Sequence, residues 1–115
     1  MKKCIGAFAI VFLIACGSAK LLLPTQADAD RGAQKFSGLT LAELNEGKSL
    51  YEMNCAACHG LKRPASQSER EWNKIVPEMV GKVNKEAGKE VIDAHKQQVI
   101  LNYLVTMGPD NKQRK

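Results

Sequence analysis

Cys55-Ala56-Ala57-Cys58-His59 sits near the middle of this 115-residue chain, and its reading decides what the flanking segments must build. Two thiols three residues apart lie on one side of one helical turn, and an imidazole follows the second directly. Three chemistries use such a pair. A thioredoxin-like redox couple expects a βαβ setting, yet few segments here alternate with the period of two that marks a strand. A structural zinc site needs four nitrogen or sulfur ligands. Apart from two cysteines in the N-terminal segment, only His95 is left to join Cys55, Cys58 and His59, and there is no second cysteine pair. The third chemistry is covalent attachment of a c-type haem, which C-x-x-C-H marks. Each thiol adds to one vinyl group of the same porphyrin, and the imidazole is held under the iron. The motif therefore points to one covalent haem c, with Cys55 and Cys58 as thioether residues and His59 as proximal iron ligand.

The segments on either side read as helices. Thr40 and Glu43 form a capping-box pattern, and Leu41, Leu44, Tyr51 and Cys55 recur at helical spacing with Gly47 and Leu50 beside them. This helix delivers the chain to Cys55. Ser68 and Glu71 form a second capping box, after which Trp72, Val76, Met79 and Val83 share a face, flanked by Ile75 and Val80. Pro77 lies inside this stretch and is expected to kink or split it. Gly81 and Gly88 predict a loop around residues 84–92. Asp93 is the expected N-cap of a last helix with the apolar stripe Ile100, Tyr103, Leu104 and Met107, stopped by Gly108-Pro109. Upstream, Thr25 with Asp28 predicts a short helix to about Phe36, stopped by Ser37-Gly38. The fold class is all-α: a small helical domain wrapped around one covalent haem.

The N-terminus reads as an address. Met1-Lys2-Lys3 precedes an apolar run of twelve residues from Cys4 to Ala15, the length of a signal-peptide h-region and short for a membrane span. The run ends in Leu13-Ile14-Ala15-Cys16-Gly17, which resembles the bacterial lipoprotein cleavage box, and that resemblance implies a mature chain starting at a lipid-bearing Cys16. An uncleaved anchor is the alternative, with Leu21-Leu22-Leu23 extending the run across Gly17-Ser18-Ala19-Lys20. Both place the domain outside the cytoplasm. The expected organisation is a signal peptide over 1–15, a lipid-anchored linker over 16–39 with a possible short helix, a haem domain over 40–109, and a polar tail over 110–115.

The formal charge of +5 does not indicate a nucleic-acid partner. Between Thr40 and Pro109 nine Lys or Arg are matched by nine Asp or Glu, and no basic stripe stands out. Lys62, Arg63, Lys82, Lys85 and Lys89 have two readings: a rim that steers an acidic partner, or solvated surface, which the interspersed acids favour.

Gly47-Lys48-Ser49-Leu50-Tyr51, Cys55-Ala56-Ala57-Cys58-His59-Gly60 and the closing Leu101-Asn102-Tyr103-Leu104 together resemble a class I cytochrome c over roughly residues 40–108. That resemblance implies that Gly47 and Tyr51 pack crosswise on Tyr103 and Leu104. It also implies a distal methionine sulfur from beyond the haem motif. Met79 follows His59 by twenty residues, a shorter gap than is usual in the family. The run from Glu71 to Val80 is similar to compact monohaem cytochromes and cytochrome subunits of bacterial dehydrogenases, where a Trp precedes the candidate Met by seven residues. On that likeness Trp72 packs on the haem and Met79 ligates the iron. The bland reading makes Met79 core filler. His95, Met107 or an open sixth site are the other possibilities for the distal position; Met53 is too near the motif to cross to the other haem face. Pro64 either turns the loop so that a backbone carbonyl accepts the His59 Nδ1–H, or is a plain turn proline.

The resulting expectation is a membrane-tethered electron carrier, not an enzyme. It would exchange single electrons with redox proteins on the periplasmic side, held to the membrane by lipid on Cys16, with no nucleic acid and no small-molecule substrate. The alternatives are a haem-bearing subunit of a larger dehydrogenase or respiratory complex, and a haem ligand sensor with an open sixth site.

Overall fold

The computed structural model describes residues 21–55 and 61–109, and among these every regular element is helical. The helices begin where the capping residues stand. In α1 (Gln26–Gly32) the Thr25 hydroxyl accepts from the Asp28 N–H at 3.3 Å, and the Asp28 carboxylate accepts from the Thr25 N–H at 2.8 Å. Partial burial alone would raise the Asp28 pKa; the hydrogen bonds from Thr25 and the Arg31 guanidinium outweigh it and hold the carboxyl below its usual range.

The expected helix to Phe36 ends sooner, at Gly32. A Cβ on Gly32 would stand 2.5 Å from Leu39 Cδ2 and 2.8 Å from Thr106 Cγ2, so the chain passes here closer to its neighbours than a side chain allows. Irregular turns continue to Phe36, and Gly38 at φ 80° reverses the direction. Arg31 donates to the Thr106 carbonyl at 3.1 Å, satisfying an orphan acceptor at the carboxyl end of the last helix. Lys35 pairs with Glu69. Leu21, Ala29 and Leu39 belong to the hydrophobic core. Residues 21–39 thus form an arm held on the domain through Leu21, Ala29, Leu39 and Arg31, while Leu22 and Leu23 stay exposed.

Helix α2 (Leu41–Cys55) opens with the Glu43 N–H donating to the Thr40 hydroxyl at 3.1 Å. It buries Leu44, Gly47, Tyr51 and Cys55, a row at spacings of three and four that forms one face of the helix. That face crosses α4 (Ala94–Thr106) at Gly47. Asp93 caps α4 by accepting from the Lys96 N–H at 2.8 Å.

Helix α3 (Glu69–Ala87) departs from expectation twice. Pro77 neither splits nor ends it, and it runs on through residues 84–87 before stopping at Gly88, which takes φ 68°. Proline removes one bond, the one its N–H would give to the Asn73 carbonyl. Asn73 and Pro77 are both exposed, so the freed carbonyl can be solvated, while Trp72, Val76 and Val80 stay buried along the adjoining stripe. Gly81 meets nothing within 4 Å of a Cβ position and costs the helix only about 1 kcal/mol relative to alanine. Beyond the helix end, Asn84 folds the chain back: its Oδ1 accepts from the Val91 and Ile92 N–H groups, and its Nδ2 donates to the Ile92 carbonyl, each at 2.9 Å. Among the described residues no helix is long and apolar enough to cross a membrane.

Candidate functional site: an apolar pocket beside the haem motif

Cys55 is the last residue of α2, and it is buried. Cys58 and His59 fall outside the described residues, as does Cys16. The described residues on either side of the motif are firmly held. On the near side α2 is held against α4. On the far side two aromatic donors grip the chain as it leaves the motif. Tyr51 Oη donates to the Lys62 carbonyl at 2.6 Å, and Trp72 Nε1 donates to the Pro64 carbonyl at 2.9 Å. The two rings meet edge to face, with centroids 6.1 Å apart and planes at 85°. Pro64 starts a short 3-10 helix, Pro64–Ser66, closed by Ser66 donating to the Arg63 carbonyl. The motif is therefore delivered by one pinned segment and received by another.

Against the end of α2 lies a pocket lined by Tyr51, Cys55, Val76, Met79, Val80 and Ile100. Three helices contribute: α2 from one side, α3 from a second, α4 from a third. Val76, Met79 and Val80 sit one helical turn apart on α3, so one stripe supplies that wall. The Tyr51 hydroxyl is committed to Lys62, and Cys55 and Met79 are the sulfur-bearing residues among those that line this space. Hydrocarbon walls suit a flat apolar macrocycle, a cysteine at the rim suits its thioether, and a thioether sulfur is a known axial donor to haem iron. These residue types suit one edge of the group that the C-x-x-C-H motif implies, and the space of about 200 Å³ takes only part of such a macrocycle.

The candidates for the distal position separate. Met79 is half-buried and lines the pocket. Met107 caps the end of α4 and packs against the core away from these walls. His95 is exposed in the first turn of α4, and Met53 is 77% exposed. Trp72, expected against the haem, is fully buried one turn before Val76, wedged between Tyr51 and the Pro64 carbonyl. The Pro64 carbonyl thus receives the indole N–H.

The crosswise packing expected of Gly47 and Tyr51 is present. A Cβ on Gly47 would stand 2.5 Å from the Val99 carbonyl oxygen and 2.7 Å from Tyr103 Cβ, and the rings of Tyr51 and Tyr103 lie 6.3 Å apart. The Val99 backbone joins Tyr103 at this crossing, and Leu104 is buried in the same core. Burial pushes the Tyr51 hydroxyl up to about 12, against the opposing pull of its bond to Lys62. Tyr103, also buried, is shifted upward too, and its hydroxyl is one of two buried side-chain groups without a hydrogen-bond partner among the described residues, with Thr106.

Sequence reasoning found the α3 stripe and the α2 row but not the two aromatic bonds to Lys62 and Pro64. Their acceptors are backbone carbonyls, which every residue carries, so nothing in the sequence distinguishes them. Ile100 was visible only as one member of a helix stripe.

A family model described as Cytochrome c matches residues 44–102, about half of the chain. No curated protein and no solved structure gives a significant match.

Proposed function

The chain belongs to the cytochrome c family, and from that premise we propose that it is a membrane-tethered monohaem electron carrier working outside the cytoplasm. The family implies covalently bound haem c and an electron carrier rather than an enzyme. Cys55 and Cys58 form the thioethers, His59 is the proximal ligand and Met79 the distal one. When bound, the haem supplies a one-electron couple between ferrous and ferric iron.

The observation that carries this reading is the shared pocket: Met79 and Cys55 line the same apolar space from different helices. A sulfur in the distal position fills the iron's coordination and leaves no site for substrate, which favours electron carriage over catalysis or ligand sensing. A His/Met pair also raises the potential relative to His/His. Val76, Val80 and Ile100 give the pocket apolar walls, and Tyr51 and Trp72 hold the segment following His59. Tethering rests on the lipoprotein-like stretch ending at Cys16, and redox proteins at the same membrane are the partners this location implies.

Optical spectra of the haem-loaded mature protein, oxidised and reduced, test the assignment in wild type and Met79→Ala. The expected wild type is low-spin with the weak charge-transfer band of thioether-ligated ferric haem, and Met79→Ala loses that band. A wild type already high-spin, or a variant that keeps the band, overturns Met79 as ligand and turns attention to His95 and Met107.

A further inference from the structure

The arm carries a pattern that its own packing does not account for. Leu21 and Pro24 are buried, whereas Leu22 and Leu23 between them are 78% and 71% exposed. A single exposed leucine needs no explanation. Here two stand side by side on a segment clamped at both ends. Leu21 is seated in the core, and immediately after Pro24 the chain enters the Thr25–Asp28 capping box of α1, itself tied to Thr106 by Arg31. The two leucines cannot fold inward without undoing those contacts.

Chain length decides what they meet. Five residue steps separate Cys16 from Leu21, and at about 3.5 Å per residue even a straight chain spans only about 17 Å. Leu22 and Leu23 are six and seven steps from Cys16, so a lipid on Cys16 keeps them within about 21 and 25 Å of the bilayer surface. Exposed apolar side chains within that distance partition into the boundary between headgroups and acyl chains. Lys20, directly before the arm, suits anionic headgroups.

We propose that Leu22 and Leu23 insert into the membrane that holds Cys16, so that the arm is a footing that sets the orientation of the domain. The proposal rests on the lipoprotein reading. It makes the tether short and fixed instead of long and loose. The arm is bonded to α4 at Thr106, whereas the pocket touches α4 at Ile100, so fixing the arm also fixes how the pocket is presented to a partner.

The test uses the full mature haem protein in vesicles of phosphatidylethanolamine and phosphatidylglycerol. Mass spectrometry of the mature chain first reads whether Cys16 bears lipid. A nitroxide is then placed on Leu23→Cys, and for comparison on Lys82→Cys, an exposed site on α3; neither substitution touches the core. Collision with oxygen, which concentrates in lipid, is compared with collision with a water-soluble nickel chelate. The expected result is a ratio several-fold higher at position 23 than at position 82. Equal ratios on a chain that does bear lipid overturn the footing and leave the lipoprotein reading intact. Absence of lipid from Cys16 overturns the lipoprotein reading and the footing with it. Spin–spin broadening between labels at position 23, without lipid contact, means that a second copy of the chain covers the leucines, and that too overturns the proposal.

Discussion

Replacing Gly47 with alanine tests the central claim about how α2 and α4 meet. At an open helix position the exchange is favourable by about 1 kcal/mol, because alanine loses less backbone entropy on folding. At Gly47 the new Cβ would stand 2.5 Å from the Val99 carbonyl oxygen and 2.7 Å from Tyr103 Cβ, against an ordinary separation of about 3.5 Å. The helices must part by about 1 Å, and both obstacles are on or next to backbone that cannot swing aside. Overpacking of this kind costs roughly 1–3 kcal/mol, and a backbone obstacle places it at the upper end of that range. Set against the propensity gain, the expected net loss is about 2 kcal/mol. For a domain of this size that is a drop in Tm of roughly 8–16 °C. Gly81→Ala is the matched control: it lies in α3 with nothing within 4 Å of a Cβ, and it should gain about 1 kcal/mol. Thermal and guanidinium unfolding of the oxidised haem protein, followed by helix circular dichroism, measures both. If Gly47→Ala melts at or above wild type, the close crossing of α2 and α4 is refuted. If both variants shift alike, helix propensity rather than packing governs the site.

Three other perturbations bear on the elements that hold the motif. Tyr51 ionises at about 12 when folded and at about 10 when unfolded, so its contribution to stability is complete below pH 10 and is lost as pH rises through 12. The unfolding midpoint of wild type should fall over that window, and Tyr51→Phe should lower the midpoint at neutral pH by about 1 kcal/mol of lost hydrogen bonding while flattening the alkaline fall; an unchanged alkaline slope refutes the assignment. Trp72→Phe strips the donor from the buried Pro64 carbonyl and should cost about 1–3 kcal/mol in guanidinium unfolding, a cost that would be absent were the indole N–H solvated. Asn84→Ala removes three hydrogen bonds that close residues 88–92; amide exchange at Val91 and Ile92 should quicken markedly, with little change at Leu104 in the core.

Legibility followed the physical range of each signal. Caps are local, and Thr25, Ser68 and Asp93 each stand where the sequence placed them, because a hydroxyl or carboxylate three residues from a free N–H needs no tertiary partner. Breakers were less readable. Pro77 and Gly81 looked like interruptions, yet α3 passes both, since burial of Trp72, Val76 and Val80 outweighs one missing bond and one flexible residue.

By itself the sequence determined the chemistry available and the helical class. A C-x-x-C-H run and rows of apolar residues at spacings of three and four are covalent and periodic facts, present before the chain folds. Only the tertiary structure decided what those rows face. It brought Met79 to the pocket beside Cys55 and left His95 exposed. It gave the carbonyls of Lys62 and Pro64 to Tyr51 and Trp72, and it held the segment before Thr40 to the domain through Leu21, Ala29, Leu39 and Arg31. Each of these depends on separations between segments distant along the chain, and such separations are fixed by the mutual packing of α2, α3 and α4, which no local pattern encodes.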